Sequence, residues 1–188
     1  MSRCLAPSAA ILLFSVSLSV AGTEETTLQS YPLPDHGSLK LAVPKSWQEE
    51  LQQPSNRLPP TMVFTPKSGS AFEILFTPMW PPRPDIPMPN AEEIKLKVEN
   101  AASDVKPQAV EKVIPLKELK GTSGAGYYFS ITDRAPEPDE YKYMTQGILR
   151  IGELLATFTI LTNDGSGAVV LDALTMVRSA SHVKATLP

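Results

Sequence analysis

Residues 125–162 read AGYYFSITDRAPEPDEYKYMTQGILRIGELLATFTILT, and this stretch decides the fold. Apolar and polar residues alternate in three of its segments, at 125–132, 141–151 and 153–162. Such alternation is typical of strands that bury one face, and a fourth strand is predicted just upstream at 109–120. Successive strands with short connections pair antiparallel, because parallel neighbours need a long crossover. The stretch therefore predicts a single antiparallel sheet.

Two more strand regions come earlier in the chain. Leu39, Leu41 and Val43 alternate with other residues after a turn-like segment, which predicts one arm of a hairpin. TMVFTP at 61–66 and AFEILFTP at 71–78 flank a turn rich in serine and glycine, which predicts a complete hairpin. We expect both regions to belong to the same sheet.

Three helices are predicted between and after these strands. The segment KSWQEELQQ at 45–53 places two apolar residues four positions apart and predicts a short helix. Asn90, followed three residues later by Glu93, has the pattern of a capping box and marks the start of a longer helix. A final helix is predicted from the spacing of Val170 and Leu174.

The order of these elements predicts the architecture, because an antiparallel sheet with helices on its faces accommodates it. The predicted fold class is α+β, an α/β/α sandwich with a central, mainly antiparallel sheet flanked by helices. With 188 residues, the chain has the length of one domain with short additions. We assign residues 31–180 to that single domain, 22–30 to a flexible leader and 181–188 to a tail.

The start of the chain has the pattern of an export signal. Arg3 supplies a positive charge, an apolar run follows, and small residues at Ser19 and Ala21 form a cleavage site. The run falls short of the roughly 20 apolar residues that span a bilayer, so no membrane span is expected. Cys4, the only cysteine, precedes the run, which disfavours a lipid anchor. We therefore expect a signal peptide at 1–21 and a periplasmic or secreted protein.

The amino-acid composition and the net charge disfavour several classes of function. The formal net charge is −3 and the sequence has no basic stripe, so nucleic acid is not an expected partner. The two histidines, His36 and His182, are too few for an obvious metal site, and no cofactor is predicted. The acidic loop at 134–140 lacks the spacing of a calcium loop and is interpreted as a solvated hairpin tip.

Several phrases of the sequence resemble the PsbP-like fold family. They are VPKSW at 43–47, the hairpin at 64–76, the helix at 92–105 and GTSGAGYYFSI at 121–131. That family includes the extrinsic photosystem protein of chloroplasts and a nuclear-import regulator that binds a small GTPase. The resemblance covers most of the chain after the signal, and it implies an α/β/α sandwich that serves as a binding or accessory module. No catalytic motif of the family matches positions here.

The glycine-rich segment at 121–126 provides the one catalytic alternative. As a phosphate loop it lacks the lysine and the following helix that such loops need. As a nucleophile elbow it would present Ser123, with Asp164 or Asp172 and then His182 in the chain order of a hydrolase triad. The motif is one glycine short, however, and an alternating strand pattern follows it. A plain hairpin turn is the favoured interpretation.

A proline-rich segment, TPMWPPRPDIPMPN at 77–90, stands between a predicted strand and a predicted helix, and we call it the strap. Its six prolines stiffen the backbone before any partner binds. In a structural interpretation, Trp80 and Ile86 pack against the core while the prolines hold the crossover in place. In a binding interpretation, Trp80 and Arg83 face a partner. The structural interpretation is favoured, although such a strap can also form the rim of a pocket.

The function predicted from the sequence is that of an exported, non-enzymatic binding or accessory module whose partner is an unknown protein or small ligand. Aromatic and arginine side chains dominate interface energetics, and no catalytic or metal-ligating residue is predicted. The alternative is a small exported serine-type hydrolase that uses Ser123 and His182. The candidate binding residues are Trp80, Arg83, Tyr128, Tyr141 and Tyr143.

Overall fold

The computed structural model describes residues 24–54, 58–81, 83 and 85–185. The predicted export signal and Cys4 lie outside the described residues, so export stays a prediction. Neither helix in the described part of the chain combines the length and the apolarity that crossing a membrane requires.

Within these residues the chain forms ten strands and two helices, arranged in two sheets. In chain order they are β1 (Thr26–Leu33), β2 (Gly37–Pro44), β3 (Trp47–Gln52), β4 (Thr61–Pro66), β5 (Phe72–Met79), α1 (Ala91–Val105), β6 (Lys117–Gly121), β7 (Gly124–Thr132), β8 (Tyr143–Ile151), β9 (Leu154–Thr162), α2 (Ala168–Arg178) and β10 (Ser181–Val183). The large sheet has the order β3-β4-β5-β9-β8-β7-β6, and the small sheet has the order β1-β2-β10. Every pair of neighbouring strands is antiparallel.

The main core lies between one face of the large sheet and a layer that consists of the small sheet and α2. A row of paired residues crosses the middle of the large sheet, from Phe76 to Phe158, Gly147 and Tyr128. The two phenylalanines are fully buried in this core. Because side chains alternate along a strand, β5 buries every second residue on this face.

Tyr31 connects the small sheet to the edge of the large one. Its ring lies edge-on to that of Phe64, with 6.4 Å between the centroids, and its hydroxyl donates a hydrogen bond to the Glu49 carboxylate on β3. Burial raises the pKa of Tyr31, and the hydrogen bond and charge of Glu49 raise it further. The Tyr31 hydroxyl therefore links the small sheet to β3 of the large sheet by a hydrogen bond.

A second, smaller core lies on the opposite face of the large sheet, where α1 packs mainly on β7 and β8. Val98 and Ala102 on α1 meet Phe129 and Ile131 on β7 there. Further along this face, Leu75 and the other outward residues of β5 are only partly covered, as are Thr157, Thr159 and Leu161 on β9. The single helix on this face is therefore too short to cover the whole sheet.

The predicted α/β/α sandwich is wrong, because the described chain is mostly β and contains two helices beside two sheets. The segment at 45–53, predicted as a helix, forms β3 and pairs with β4. Of the two apolar residues four positions apart, Trp47 is buried in this strand, whereas Leu51 is 41% exposed. The backbone groups of the segment pair with those of β4 instead of forming helical hydrogen bonds. The small sheet occupies the layer where a second helix layer was expected.

The strands reach beyond the expected boundaries at both ends of the domain. Residues 26–30, assigned to a flexible leader, form the first half of β1 and pair with β2. Residues 181–183, assigned to a tail, form β10 on the other edge of β2. In contrast, the strand predicted at 109–120 is shorter and starts at Lys117, after a single bridge between Ala109 and Asp133.

Several local predictions are confirmed. The capping box is present at the start of α1: the Asn90 side chain accepts a hydrogen bond from the Glu93 backbone, and the Glu93 carboxylate accepts one from Asn90 N. The hairpin of β4 and β5, the final helix α2 and the three strands within 125–162 also form as predicted. Each of these depends on contacts between residues close in sequence.

Candidate functional site

The strap runs from the end of β5 to the N-cap of α1 and is held by Trp80. The Trp80 indole is partly buried against the main core. Its other neighbour is the imidazole of His36 in the turn between β1 and β2, with 4.3 Å between the ring centroids and 26° between the ring planes. Trp80 therefore anchors the strap, as the structural interpretation of this segment predicts, whereas Ile86, which that interpretation also places against the core, is 37% exposed. Pro82 and Pro84 lie outside the described residues.

A cleft of about 660 Å³ lies between the strap and the two histidines, and we call it the strap cleft. The side chains that give it its chemistry are His36, Trp80, Arg83, Met88, Glu153 and His182. The strap contributes apolar walls through its prolines. The polar groups come from His36 in the β1–β2 turn, Glu153 in the β8–β9 turn and His182 on β10. The cleft thus has the mixed lining that is typical of binding sites.

The polar side of the strap cleft is fixed by hydrogen bonds. His182 Nε2 on β10 lies 2.7 Å from the backbone oxygen of His36 and donates to it in the tautomer that carries the proton on Nε2. Lys184 donates a hydrogen bond to Glu153, which lowers the pKa of that carboxyl, and the charges of Lys184 and His182 act in the same direction. These two contacts therefore hold the β1–β2 turn and the β8–β9 turn in place before any ligand enters.

The strap also exposes charged and apolar groups to solvent. Arg83 Nε lies 3.5 Å from the Asp85 carboxylate, and both side chains are 70% exposed. Ile86, which lines the strap cleft, is 37% exposed. An exposed ion pair of this kind stabilises the fold very little, so Arg83 is free to contact a partner at low cost.

A second cavity, of about 260 Å³, lies on the other side of the strap, and we call it the strap pocket. Its lining is almost entirely apolar and comes from the strap, β8 and β9. The main contributors are Met79, Trp80, Ile86, Met88, Ile148 and Leu155, and Lys97 on α1 is its one charged lining residue among those described. Trp80 thus forms part of both cavities and separates a polar cleft from an apolar pocket.

The structure divides the five predicted binding residues among three places. Trp80 and Arg83 line the strap cleft together. Tyr128 and Tyr143 line a separate cavity beneath α2. Tyr141 lines a cleft of about 720 Å³ beside the acidic loop, where burial and the charge of Glu73 raise its pKa.

The residues that sequence reasoning missed at the strap cleft are His36, Glu153 and His182. The two histidines are 146 positions apart, and the sequence contains no local signal that they share a cleft. Within the described residues, no group of three or more histidine, aspartate, glutamate or cysteine side chains is arranged to hold a metal ion.

The residues of the hydrolase alternative have other surroundings. Ser123 lies in the hairpin turn between β6 and β7, where Gly121 pairs with Gly124, and a strand follows it. A nucleophile elbow requires a turn from a strand into a helix. The predicted hairpin turn in the glycine-rich segment is therefore confirmed, and His182 Nε2 is engaged with the backbone of the β1–β2 turn.

No known protein family matches the chain, and no curated protein is significantly similar to it. The similarity to PsbP-like proteins therefore stays a prediction from short phrases of the sequence.

Proposed function

We propose that the protein is a non-enzymatic binding module that uses the strap to bind an extended segment of a partner protein. The observation that carries the proposal is the position of Trp80. Its indole packs against His36 and the main core, and it lines both the polar strap cleft and the apolar strap pocket. Tryptophan and arginine are the residues most often found at the energetic centre of interfaces. A segment whose prolines restrict its backbone before binding should lose little conformational entropy when a partner binds.

The lining of the two cavities indicates the chemistry of the bound segment. The strap pocket has room for an apolar side chain beside Ile86 and Met88. Arg83 and Lys97 line the cleft and the pocket on either side of the strap, so acidic groups in the partner would meet a positive charge at each. We infer that the segment carries an apolar anchor flanked by acidic residues.

The remaining sequence predictions are consistent with this proposal. The export pattern of residues 1–21 supports a partner in the periplasm or outside the cell. We do not propose the hydrolase alternative, because Ser123 lies between two strands and no observation favours it.

Site-specific photo-crosslinking in the native host tests the proposal. A photoreactive phenylalanine derivative replaces Ile86 in the full chain, and the same group at Val113, which is 77% exposed and lies outside the cavities described above, serves as the control position. We expect a discrete adduct with one partner protein from position 86 and none of that mass from position 113. Equal adducts from both positions would contradict the proposal.

Charge reversal then tests the contact chemistry without disturbing the core. Arg83→Glu removes the proposed contact with an acidic partner, and Lys112→Glu makes the same charge change at an exposed site outside both cavities. We expect the adduct from position 86 to be lost with Arg83→Glu and retained with Lys112→Glu. An adduct that still forms in the Arg83→Glu variant would contradict the proposed mode of binding.

A further inference from the structure

Both histidines of the chain, His36 and His182, line the strap cleft. They lie far apart in the sequence and meet because β10 pairs with β2, which places His182 Nε2 2.7 Å from the backbone oxygen of His36. Histidine is the residue type that gains a positive charge between pH 5 and 8. All the histidine titration of this chain is therefore concentrated in one cleft.

Each histidine has room to take up a proton without losing the contacts that build the cleft. Both side chains are partly exposed, so water reaches them. The Nε2–H of His182 keeps its bond to the backbone oxygen when a proton is added at Nδ1. The imidazole of His36 lies stacked on Trp80, and the face of an indole also attracts a cation. Acidification therefore changes the charge of the cleft and preserves its shape.

The other charged groups around the cleft nearly cancel one another. Arg83 on the strap and Glu153 in the β8–β9 turn line it with one charge of each sign. Just outside, Asp85 lies 3.5 Å from Arg83 Nε, Lys184 is bonded to Glu153, and Asp35 adds a carboxylate in the β1–β2 turn. With both histidines protonated, the lining carries three positive side chains and one negative side chain. The charge state of the histidines therefore decides the sign of the cleft.

We propose that the strap cleft is sensitive to pH: it binds an acidic partner segment more tightly as the pH falls from 8 to 5.5, because His36 and His182 gain positive charge beside Arg83. This inference rests on the proposed function, since it concerns the segment bound there. The carboxylates of a partner remain ionised in this range, so the attraction grows on acidification. The strap pocket, with Lys97 as its one charged residue among those described, keeps its preference for an apolar anchor.

Calorimetry on the full chain with a defined probe tests the inference. The probe is a pentapeptide with blocked ends and one leucine between two pairs of aspartates, and its control has asparagines in place of the aspartates. We expect the acidic peptide to bind about fivefold more tightly at pH 5.5 than at pH 8, and the neutral peptide to bind equally at both. Equal affinity of the acidic peptide at both pH values would overturn the inference and leave the proposed function standing. Binding at neither pH would contradict the proposed segment chemistry, and this inference with it.

Two conservative variants assign the effect to the histidines. His36→Phe keeps an aromatic ring against Trp80 and removes the titrating group. His182→Gln keeps a side-chain N–H that can donate to the backbone oxygen at position 36. We expect the double variant to bind the acidic peptide at both pH values with the affinity that the wild type has at pH 8. A fivefold gain that persists in the double variant would overturn the inference.

NMR titration of the wild type follows the same groups and needs no variant. Only two histidine ring signals are present, and we expect both to move between pH 5 and 8. The indole N–H signal of Trp80 should move together with that of His36. Trp47, whose ring packs between Phe64 and Phe72, is the internal control and should stay in place. Histidine signals that do not move in this range would refute the pH sensitivity of the cleft.

Discussion

The imidazole of His36 lies stacked on the indole of Trp80, with 4.3 Å between the ring centroids. His36 comes from the turn between β1 and β2, Trp80 from the strap, and His182 on β10 contacts the backbone oxygen of His36. This ring pair therefore connects the small sheet to the strap, which links β5 of the large sheet to α1. The strap cleft exists because these three parts of the chain meet.

The first prediction concerns the contribution of this ring pair to stability. Trp80→Ala removes a partly buried indole, so we expect the free energy of unfolding to fall by about 2 kcal/mol in urea denaturation. His36→Ala should cost about 1 kcal/mol, and the double variant should cost less than the sum, because the stack is lost only once. Strictly additive losses would show that the two rings do not interact in solution.

A second prediction concerns the end of the strap. Asn90→Ala removes the N-cap side chain of α1 and leaves the Glu93 backbone nitrogen without its partner, which should destabilise the protein by about 1 kcal/mol. Asn100→Ala, on the exposed side of the same helix, is the matched control and should change the melting temperature little. Similar shifts for both variants in thermal unfolding would mean that the cap contributes nothing.

A third prediction concerns pH and Glu111. Partial burial raises the pKa of Glu111, but its hydrogen bonds with Thr132 bring it below the usual value of 4.5. A carboxyl whose pKa is lower in the folded state stabilises the protein above its unfolded pKa, and this stabilisation is lost as the pH falls through the folded pKa. Glu111→Gln should therefore lower the melting temperature at pH 7, and the difference from the wild type should shrink on acidification.

The control for Glu111 is Glu118→Gln, because the Glu118 carboxylate lies in an exposed ion pair with Lys120 at 3.7 Å. Its melting temperature should follow that of the wild type at every pH. A constant difference between Glu111→Gln and the wild type from pH 7 to pH 3 would refute the linkage.

A fourth prediction concerns the row of paired residues across the large sheet. A Cβ at Gly147 would lie 2.5 Å from the Tyr127 carbonyl oxygen and 2.6 Å from the Phe158 ring, so Gly147→Ala forces two strands or a core ring to move. We expect a loss of about 3 kcal/mol in chemical denaturation. A Cβ at Gly121 would lie 3.3 Å from its nearest atoms, so Gly121→Ala should lower the stability much less. A Gly147→Ala variant as stable as Gly121→Ala would show that the packing differs in solution.

Much of the fold was predictable where short-range patterns determine it. The alternation in 125–162 predicts three neighbouring strands, and the Asn90–Glu93 pair predicts the start of α1. These features depend on side chains that lie within a few residues of one another. The same holds for the hairpin turn around Ser123, where glycines flank a two-residue connection between strands.

The errors arose where a segment pairs with the edge of another strand. In 45–53, the spacing of Trp47 and Leu51 fits a helix, but unpaired hydrogen-bonding groups at the edge of β4 convert the segment to a strand. Residues 181–183 carry no strong strand pattern and become ordered only because β2 offers them a free edge.

The amino-acid sequence alone determined the strand-rich centre and the two helices that form, because these follow from local periodicity. Only the tertiary structure decided that Trp80 meets His36 and His182, and that Tyr128 and Tyr143 lie in a different cavity. The reason is physical: a cleft is formed by groups far apart in the chain, and their meeting depends on how two sheets pack around one core.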